Sequence, residues 1–283
     1  MPSSQTSAWD LVIGGVLHCF EAATLGLPLE VWKTRQGRFR DERALESFRN
    51  VYREGGGAKA FWAGFSPKLV EASLKGSVLL FSKELLSDGM RYAGAGETLT
   101  GFVAGFGGGV AQTIVIAPCA FFVTAAVTGG GKTMMDTARD IYGRKGVLGF
   151  YEGASAIAAR QGSNWAMRQG FTDAARHRMR LLVHGREDAK LSIAQDSVCS
   201  MIGGTLATCN QPFEVARIEA QSAAVAGEPS RGLVGTMQLI VRQNGVAGLF
   251  KGLIPRIGLG IWQTLIMVTG SKIVKAKLMP SKA

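Results

Sequence analysis

The chain has 283 residues, of which 47% are hydrophobic, 19% charged and 38 glycine. That apolar content excludes a disordered chain, and glycine at roughly twice its usual share of about 7%, without a collagen period, belongs inside ordered elements. Thirty-two Lys and Arg against 21 Asp and Glu leave a net charge of +11, which points to an anionic partner without choosing among nucleic acid, acidic lipid and acidic solute. Cys19, Cys119, Cys199 and Cys209 form no C-x-x-C pair and each lies in an apolar stretch. They read as small buried residues, with neither a disulfide framework nor a metal site expected.

Along the chain, MPSSQTSAWD leads directly into apolar sequence, so neither an Arg-rich leader nor a cleavable signal peptide is expected. The first apolar segment carries His18 and Glu21, and the second carries Glu71 and Lys75. From Thr98 to Gly131 there is no Asp, Glu, Lys, Arg or His, a run of 34 residues where a bilayer span needs about 20. Ser197–Phe213 and Ile257–Ser271 are shorter uncharged runs. Ionisable groups are costly in lipid, so spanning helices that carry them should turn them toward an aqueous cavity.

Self-comparison sets the architecture. PLEVWKTR (28–35) and PFEVARIE (212–219) share a Pro-x-Glu-x-x-basic frame, and PCAFFVTA (118–125) sits between them, with 90 and 94 residues separating successive prolines. A second marker follows each: Gly57-AKAF-Trp62-Ala-Gly64, Gly146-VLGF-Tyr151-Glu-Gly153 and Gly245-VAGL-Phe250-Lys-Gly252. Agreement at both markers predicts three tandem repeats, 1–92, 93–186 and 187–283. Each reads as a long helix kinked near its proline (Pro28, Pro118, Pro212), a short amphipathic segment and a second long helix. The expected fold is an all-α membrane protein with six transmembrane helices, pseudo-threefold symmetry and both termini on one side. Gly101, Gly105 and Gly109 are expected to let neighbouring backbones approach.

Threefold repetition also exposes what breaks it. Counting 4, 7, 11 and 15 residues beyond each closing glycine follows one helical face. Lys68, Ile157 and Arg256 stand at the first offset, then Glu71, Arg160 and Leu259, then Lys75, Asn164 and Gln263, then Leu79, Arg168 and Met267. Five cations against the single acid Glu71 on this stripe suggest a pocket for a solute with two or three carboxylates, since Arg matches a carboxylate bidentately and Lys adds a mobile point charge.

With its signature complete at Pro28/Glu30/Lys33 and Pro212/Glu214/Arg217, and the glycine/aromatic/glycine element after each repeat's proline, the chain resembles the mitochondrial carrier family. The resemblance implies a ring of interhelical ion pairs closing the cavity on the matrix side. Repeat two departs, with Ala120 and Val123 at the acid and base positions, so only Glu214 with Lys33 is expected intact, while Glu30 and Arg217 lose their usual partners and the gate is weakened. On the opposite side the corresponding positions leave Asp173 with Lys275 as the expected gate pair.

Further segments, among them TLGLPLEVWKT, EASLKGSVLLF, ARQGSNW and PRIGLGIWQT, are similar to the citrate/oxoglutarate carrier subfamily. That likeness implies substrate contacts at Glu71, Lys75, Leu79, Arg160, Gln161 and Arg256, and exchange of citrate for 2-oxoglutarate across the mitochondrial inner membrane, with both termini on the intermembrane-space side and no cofactor. It also raises a rival, association with mitochondrial DNA. The basic stretch Lys33, Arg35, Arg38, Arg40 and Arg43 is compatible with phosphate contact, but the favoured reading is a matrix-facing loop attracting anionic lipid such as cardiolipin. GGGKT (129–133) lacks the leading glycine of a phosphate-binding loop, Ala126 standing there, and no enzyme is expected.

Overall fold

The computed structural model of the chain describes residues 8–131, 133–186, 189 and 191–270, and among them the regular structure is entirely helical. The first unit runs through α1 (Ala8–Glu21), a wide turn over Ala22–Gly26, α2 (Leu27–Arg38), the short α3 (Ala44–Glu54) and the long α4 (Phe65–Tyr92). The second contains α5 (Glu97–Ala111), α6 (Thr113–Thr128), α7 (Met134–Lys145) and α8 (Ala154–His184). The third contains α9 (Ile193–Leu206), α10 (Gln211–Ala226), α11 (Gly232–Asn244) and α12 (Leu253–Thr264), which continues as a wide turn to Gly270. Contacts run from α1 to α4, α5, α8, α9 and α12 in order, and α12 returns to α2, so the long helices close a ring.

Proline explains where the first long helix of each unit breaks; these composite helices, α1–α2, α5–α6 and α9–α10, are the odd ones of six, and α4, α8 and α12 the even ones. Without an N–H, proline cannot donate to the carbonyl four residues back, and its ring crowds that turn. Before Pro28 the backbone leaves helical geometry at Thr24 (φ −91°, ψ −113°); α5 gives way to α6 at Gln112, six residues before Pro118; and a tight turn over Ala207–Asn210 precedes Pro212. Aromatic markers of the second repeat motif cap these breaks: Trp62 Nε1 donates to the Ala23 carbonyl at 2.9 Å, and the Tyr151 hydroxyl to the Ile114 carbonyl at 3.2 Å. Phe250 has no donor, and in its unit Gln211 Nε2 donates to the Lys251 carbonyl at 2.7 Å instead.

The closing glycines lock the ring together. Gly64, Gly153 and Gly252 start α4, α8 and α12 with φ of 76°, 75° and 79°, which disfavours any side chain. An added Cβ would stand 2.9 Å from Val123 Cα, 3.2 Å from the Arg217 carbonyl oxygen and 3.0 Å from that of Lys33 respectively. Each glycine therefore packs against the odd helix of the following unit, the third against the first. Gly101 and Gly105 differ from expectation, because a Cβ on either would meet nothing within 4 Å. The close approaches fall at Gly107 and Gly108 against α4 and at Gly109 against α8, since two neighbours claim opposite sides of α5 where a four-residue stripe serves only one.

The apolar core lies around the short helices. Ser47/Val51, Thr137/Ile141 and Thr236/Ile240 occupy matching positions on α3, α7 and α11 and are all buried. Val51 packs with Leu27, Val31, Phe61 and Val123, and Ile141 with Phe121, Ala125, Ala224 and Val225, so each cluster draws on two units. Elsewhere the distribution is inverted: Phe81, Ile114 and Val16 are 70%, 65% and 63% exposed, while Glu30, Lys33, Glu214 and Arg217 are buried. Two helical stretches, Val12–Arg38 and Leu99–Thr128, are long and apolar enough to cross a bilayer by length and composition.

Candidate functional site: a charged cavity inside the helix ring

A cavity of about 410 Å³ occupies the axis of the ring. Its wall runs along the first odd helix from His18 to Lys33 and takes residues from α4, α6, α8, α10 and α12. Fifteen helical residues at about 1.5 Å each make this roughly 22 Å of depth.

One ion-pair network spans the cavity at the level of α2. Lys33 Nζ lies 2.8 Å from Glu214 Oε1 and 3.1 Å from Glu30 Oε1, which brings together the expected α2–α10 pair. Glu30 does not go without a further partner, because Lys68 from α4 reaches its Oε2 at 2.8 Å while also lying 3.2 Å from Glu71. Arg217 pairs with Glu214 on its own helix at 2.8 Å and donates to Gln221 at 2.6 Å and Thr124 at 3.1 Å. Arg160 Nε stands 3.0 Å from Glu214 Oε2, an ion-pair contact outside hydrogen-bond geometry. Contrary to expectation, Glu30 and Arg217 are thus not left without partners. With Ala120 and Val123 supplying no charge, Lys68 and Arg160 from the even helices take the open places, and Thr124 gives Arg217 a neutral partner. Removing one member of such a buried network costs about 3–5 kcal/mol, because it strands the other charge.

Farther along the cavity the surplus is positive. Arg168 Nη2 donates to Thr264 Oγ1 at 2.9 Å, and neither Arg168 nor Lys75 meets a carboxylate among the described residues. Gln161 Nε2 donates to Gln112 Oε1 at 2.9 Å, and Gln112 Nε2 to the Lys75 carbonyl at 2.8 Å, so the break in the second odd helix is braced to both α4 and α8. Leu79, Asn164, Leu259, Gln263 and Met267 complete this part of the wall. Lining cations number six (Lys33, Lys68, Lys75, Arg160, Arg168, Arg217) against four carboxylates (Glu21, Glu30, Glu71, Glu214), an excess of two.

Arg256 departs from its expected place. It is buried and absent from the cavity wall, with Nη1 donating to Gln211 Oε1 at 2.7 Å and Nη2 to Asn210 Oδ1. Asn210 Nδ2 in turn donates to the Arg160 carbonyl and to Ser163 Oγ, both at 3.2 Å. The guanidinium is held by the polar turn before Pro212, and so positions the third kink and the backbone of Arg160.

At the far end Asp173 pairs with Arg176 at 3.2 Å, and Arg176 with Asp196 at 2.7 Å; Lys275 lies outside the described residues. Four of the five cations of the basic stretch are paired with carboxylates, and Arg43 is exposed. Lys33 is in the central network, Arg35 is clasped by Glu42 and Glu54 at 2.6 and 2.7 Å, and Arg38 and Arg40 converge on Glu219 at 2.7 and 2.6 Å. Burial alone would raise the Glu42 carboxyl, but hydrogen bonds from Arg35 and Asn50 outweigh it and hold it below the ordinary carboxylate range. All four cysteines are free, and Cys209 is exposed where burial was expected. Gln112, Thr124, Asn210 and Gln221 were not legible as site residues, because they sit at different distances from their prolines and no symmetry count aligns them.

A model of the mitochondrial carrier protein family matches residues 4–93, 95–181 and 189–282. The chain is 35% identical to the citrate/oxoglutarate carrier protein of Saccharomyces cerevisiae over 272 residues, covering 92% of this chain and 86% of that one. It is 26% identical to the mitochondrial 2-oxodicarboxylate carrier of Mus musculus, covering 81% of each, and 27% identical to the mitochondrial succinate-fumarate transporter 1 of Arabidopsis thaliana, covering 71% and 70%. Three consecutive family matches along one ring of paired helices leave a single assignment: the chain belongs to the mitochondrial carrier family, whose members are transporters of the mitochondrial inner membrane.

Proposed function

We infer that this chain exchanges citrate for 2-oxoglutarate across the inner mitochondrial membrane by alternating access. Six helices would span the bilayer, with the termini on the intermembrane-space side and the Glu30/Lys33/Glu214/Arg217 network toward the matrix. The inverted distribution of apolar and charged residues supports the membrane setting, as lipid takes the place of a core on the outside of the ring. The observation that carries the substrate class is the two-cation excess of the cavity, with Lys75 and Arg168 unmatched by carboxylates. The choice of citrate and 2-oxoglutarate is supported by the printed name of the yeast relative.

Lys68 and Arg160 give the cycle its coupling. Both line the cavity and both hold network carboxylates, at 2.8 Å from Glu30 and 3.0 Å from Glu214. A polycarboxylate entering the cavity competes for these two cations and so weakens the closed network that they complete. The substrate shifts the equilibrium by its differential affinity for the two states and by no more. Citrate uptake by proteoliposomes preloaded with 2-oxoglutarate, malate or nothing tests this reading. Fast uptake against internal 2-oxoglutarate is expected; equal uptake into empty vesicles rejects antiport, and faster uptake against malate rejects the pair.

A further inference from the structure

On the α1 wall of the cavity Glu21 is 2% exposed, and its carboxylate meets no donor among the described residues. The nearby Thr24 hydroxyl, 3.1 Å away, donates to the Glu21 backbone carbonyl and leaves the side chain unmatched. Gly26 makes room for this carboxylate, since a Cβ there would collide with it. One turn earlier His18 also borders the cavity, with its Nδ1 buried and unpaired. Across from them Lys75 of α4 faces the same space, and α1 and α4 touch at this level, with Cys19 Sγ 3.4 Å from Ser73 Oγ.

A buried carboxylate without a donor is unfavourable, and in a cavity that gathers carboxylates it repels the same solutes that the cations attract. It becomes useful when the solute brings an O–H. In a tricarboxylate whose central carbon carries both a hydroxyl and a carboxylate, the two groups sit on one atom. Lys75 and His18 can then take the carboxylate oxygens while Glu21 accepts from the hydroxyl. An oxo acid presents an acceptor there and gains nothing from Glu21. The geometry points to Glu21 as a specificity residue that accepts a hydrogen bond from the hydroxyl of a hydroxy-acid substrate. This rests on the carboxylate-exchange reading above. Lys75 and then Lys68, opposed by Glu30 and Glu71, lie close enough to act on Glu21 electrostatically, so the readout must separate the hydroxyl from the overall charge.

The probe pair is citrate and propane-1,2,3-tricarboxylate, which has the same three carboxylates and no hydroxyl. Initial uptake of each is measured in proteoliposomes preloaded with 2-oxoglutarate, for the unmodified protein and for Glu21→Ala and Glu21→Gln. The unmodified protein should show a KM for the deoxy compound about tenfold above that for citrate. In Glu21→Ala that ratio should fall to within about twofold of one; in Glu21→Gln, which keeps a carbonyl acceptor in nearly the same volume, it should fall part of the way. Should Glu21→Ala fail to insert, Glu21→Gln alone decides. A ratio that is near one in the unmodified protein, or the same in all three, overturns the assignment while leaving carboxylate exchange standing. Absence of exchange with any carboxylate overturns the underlying reading and this one with it.

Discussion

Lys68 holds two carboxylates at once, at 2.8 Å from Glu30 and 3.2 Å from Glu71, and it is the base that repeat two fails to supply. Lys68→Ala should therefore remove a cavity-lining cation and the partner of two network carboxylates together. Citrate exchange should fall by more than tenfold in reconstituted vesicles, and thermal stability should fall too, since Glu30 keeps only Lys33. Arg256 behaves differently because its partners are the Gln211 and Asn210 side chains. Arg256→Lys cannot span both with its single ammonium, so the melting temperature should drop by several degrees before any substrate is added, reflecting about 1.5–3 kcal/mol for a charge-assisted pair. A variant whose affinity changes while its melting curve stays in place would return Arg256 to the substrate. The sequence made Arg256 visible as a cation that breaks the threefold pattern, but the direction it faces depends on Asn210 and Gln211, whose places before the proline are held in the other units by Gly26 and Leu27 and by Ile116 and Ala117, none of which offers a side-chain acceptor.

Each break in an odd helix is set by proline and satisfied by a different neighbour. In the second unit the Tyr151 hydroxyl covers the Ile114 carbonyl at 3.2 Å, the acceptor that Pro118 leaves without its helical donor. Tyr151→Phe should lower stability by about 1 kcal/mol, roughly 2–4 °C in a thermal shift assay for a domain of this class. Phe250→Ala should not disturb a backbone bond in this way, because its ring has no donor to offer. Gly252→Ala tests packing in place of hydrogen bonding: with φ at 79° and a Cβ 3.0 Å from the Lys33 carbonyl, it should destabilise by more than 1 kcal/mol and loosen the gate. The element pattern was legible from the prolines and glycines, which act through backbone sterics and repeat faithfully. Less legible were the sites of close helix approach on α5, where a four-residue glycine spacing suggested Gly101, Gly105 and Gly109 and the contacts fell at Gly109 but otherwise at Gly107 and Gly108. Two helices compete for that surface, and sequence spacing alone does not say which neighbour lies where.

At the scale of the whole molecule, the ends of the units are tied across one another. Arg40, which follows α2, binds Glu219 of α10 at 2.6 Å and Asn244 of α11 at 2.7 Å, joining the first unit to the third. The Arg35 clasp adds a pH dependence outside the cavity. Glu42 is held below its ordinary value of 4.5, so its contribution is complete above that value and is lost as pH falls through the lowered one. Melting temperature should therefore decline on acidification just below pH 4.5, and Glu42→Gln should lower the plateau and flatten that part of the curve. Composition and net charge pointed to an anionic partner, and the repeats to three helical units. They could not foretell that Arg35, Arg38 and Arg40 pair with the carboxylates of Glu42, Glu54 and Glu219, while Lys75 and Arg168 in the cavity wall meet none among the described residues. The three closing glycines carry a last consequence. Each wedges a helix start against the next unit, from Gly64 to Val123, Gly153 to Arg217 and Gly252 to Lys33, in one rotational sense around the axis. The arrangement is that of the leaves of a camera iris, in which each leaf bears on its follower all the way round.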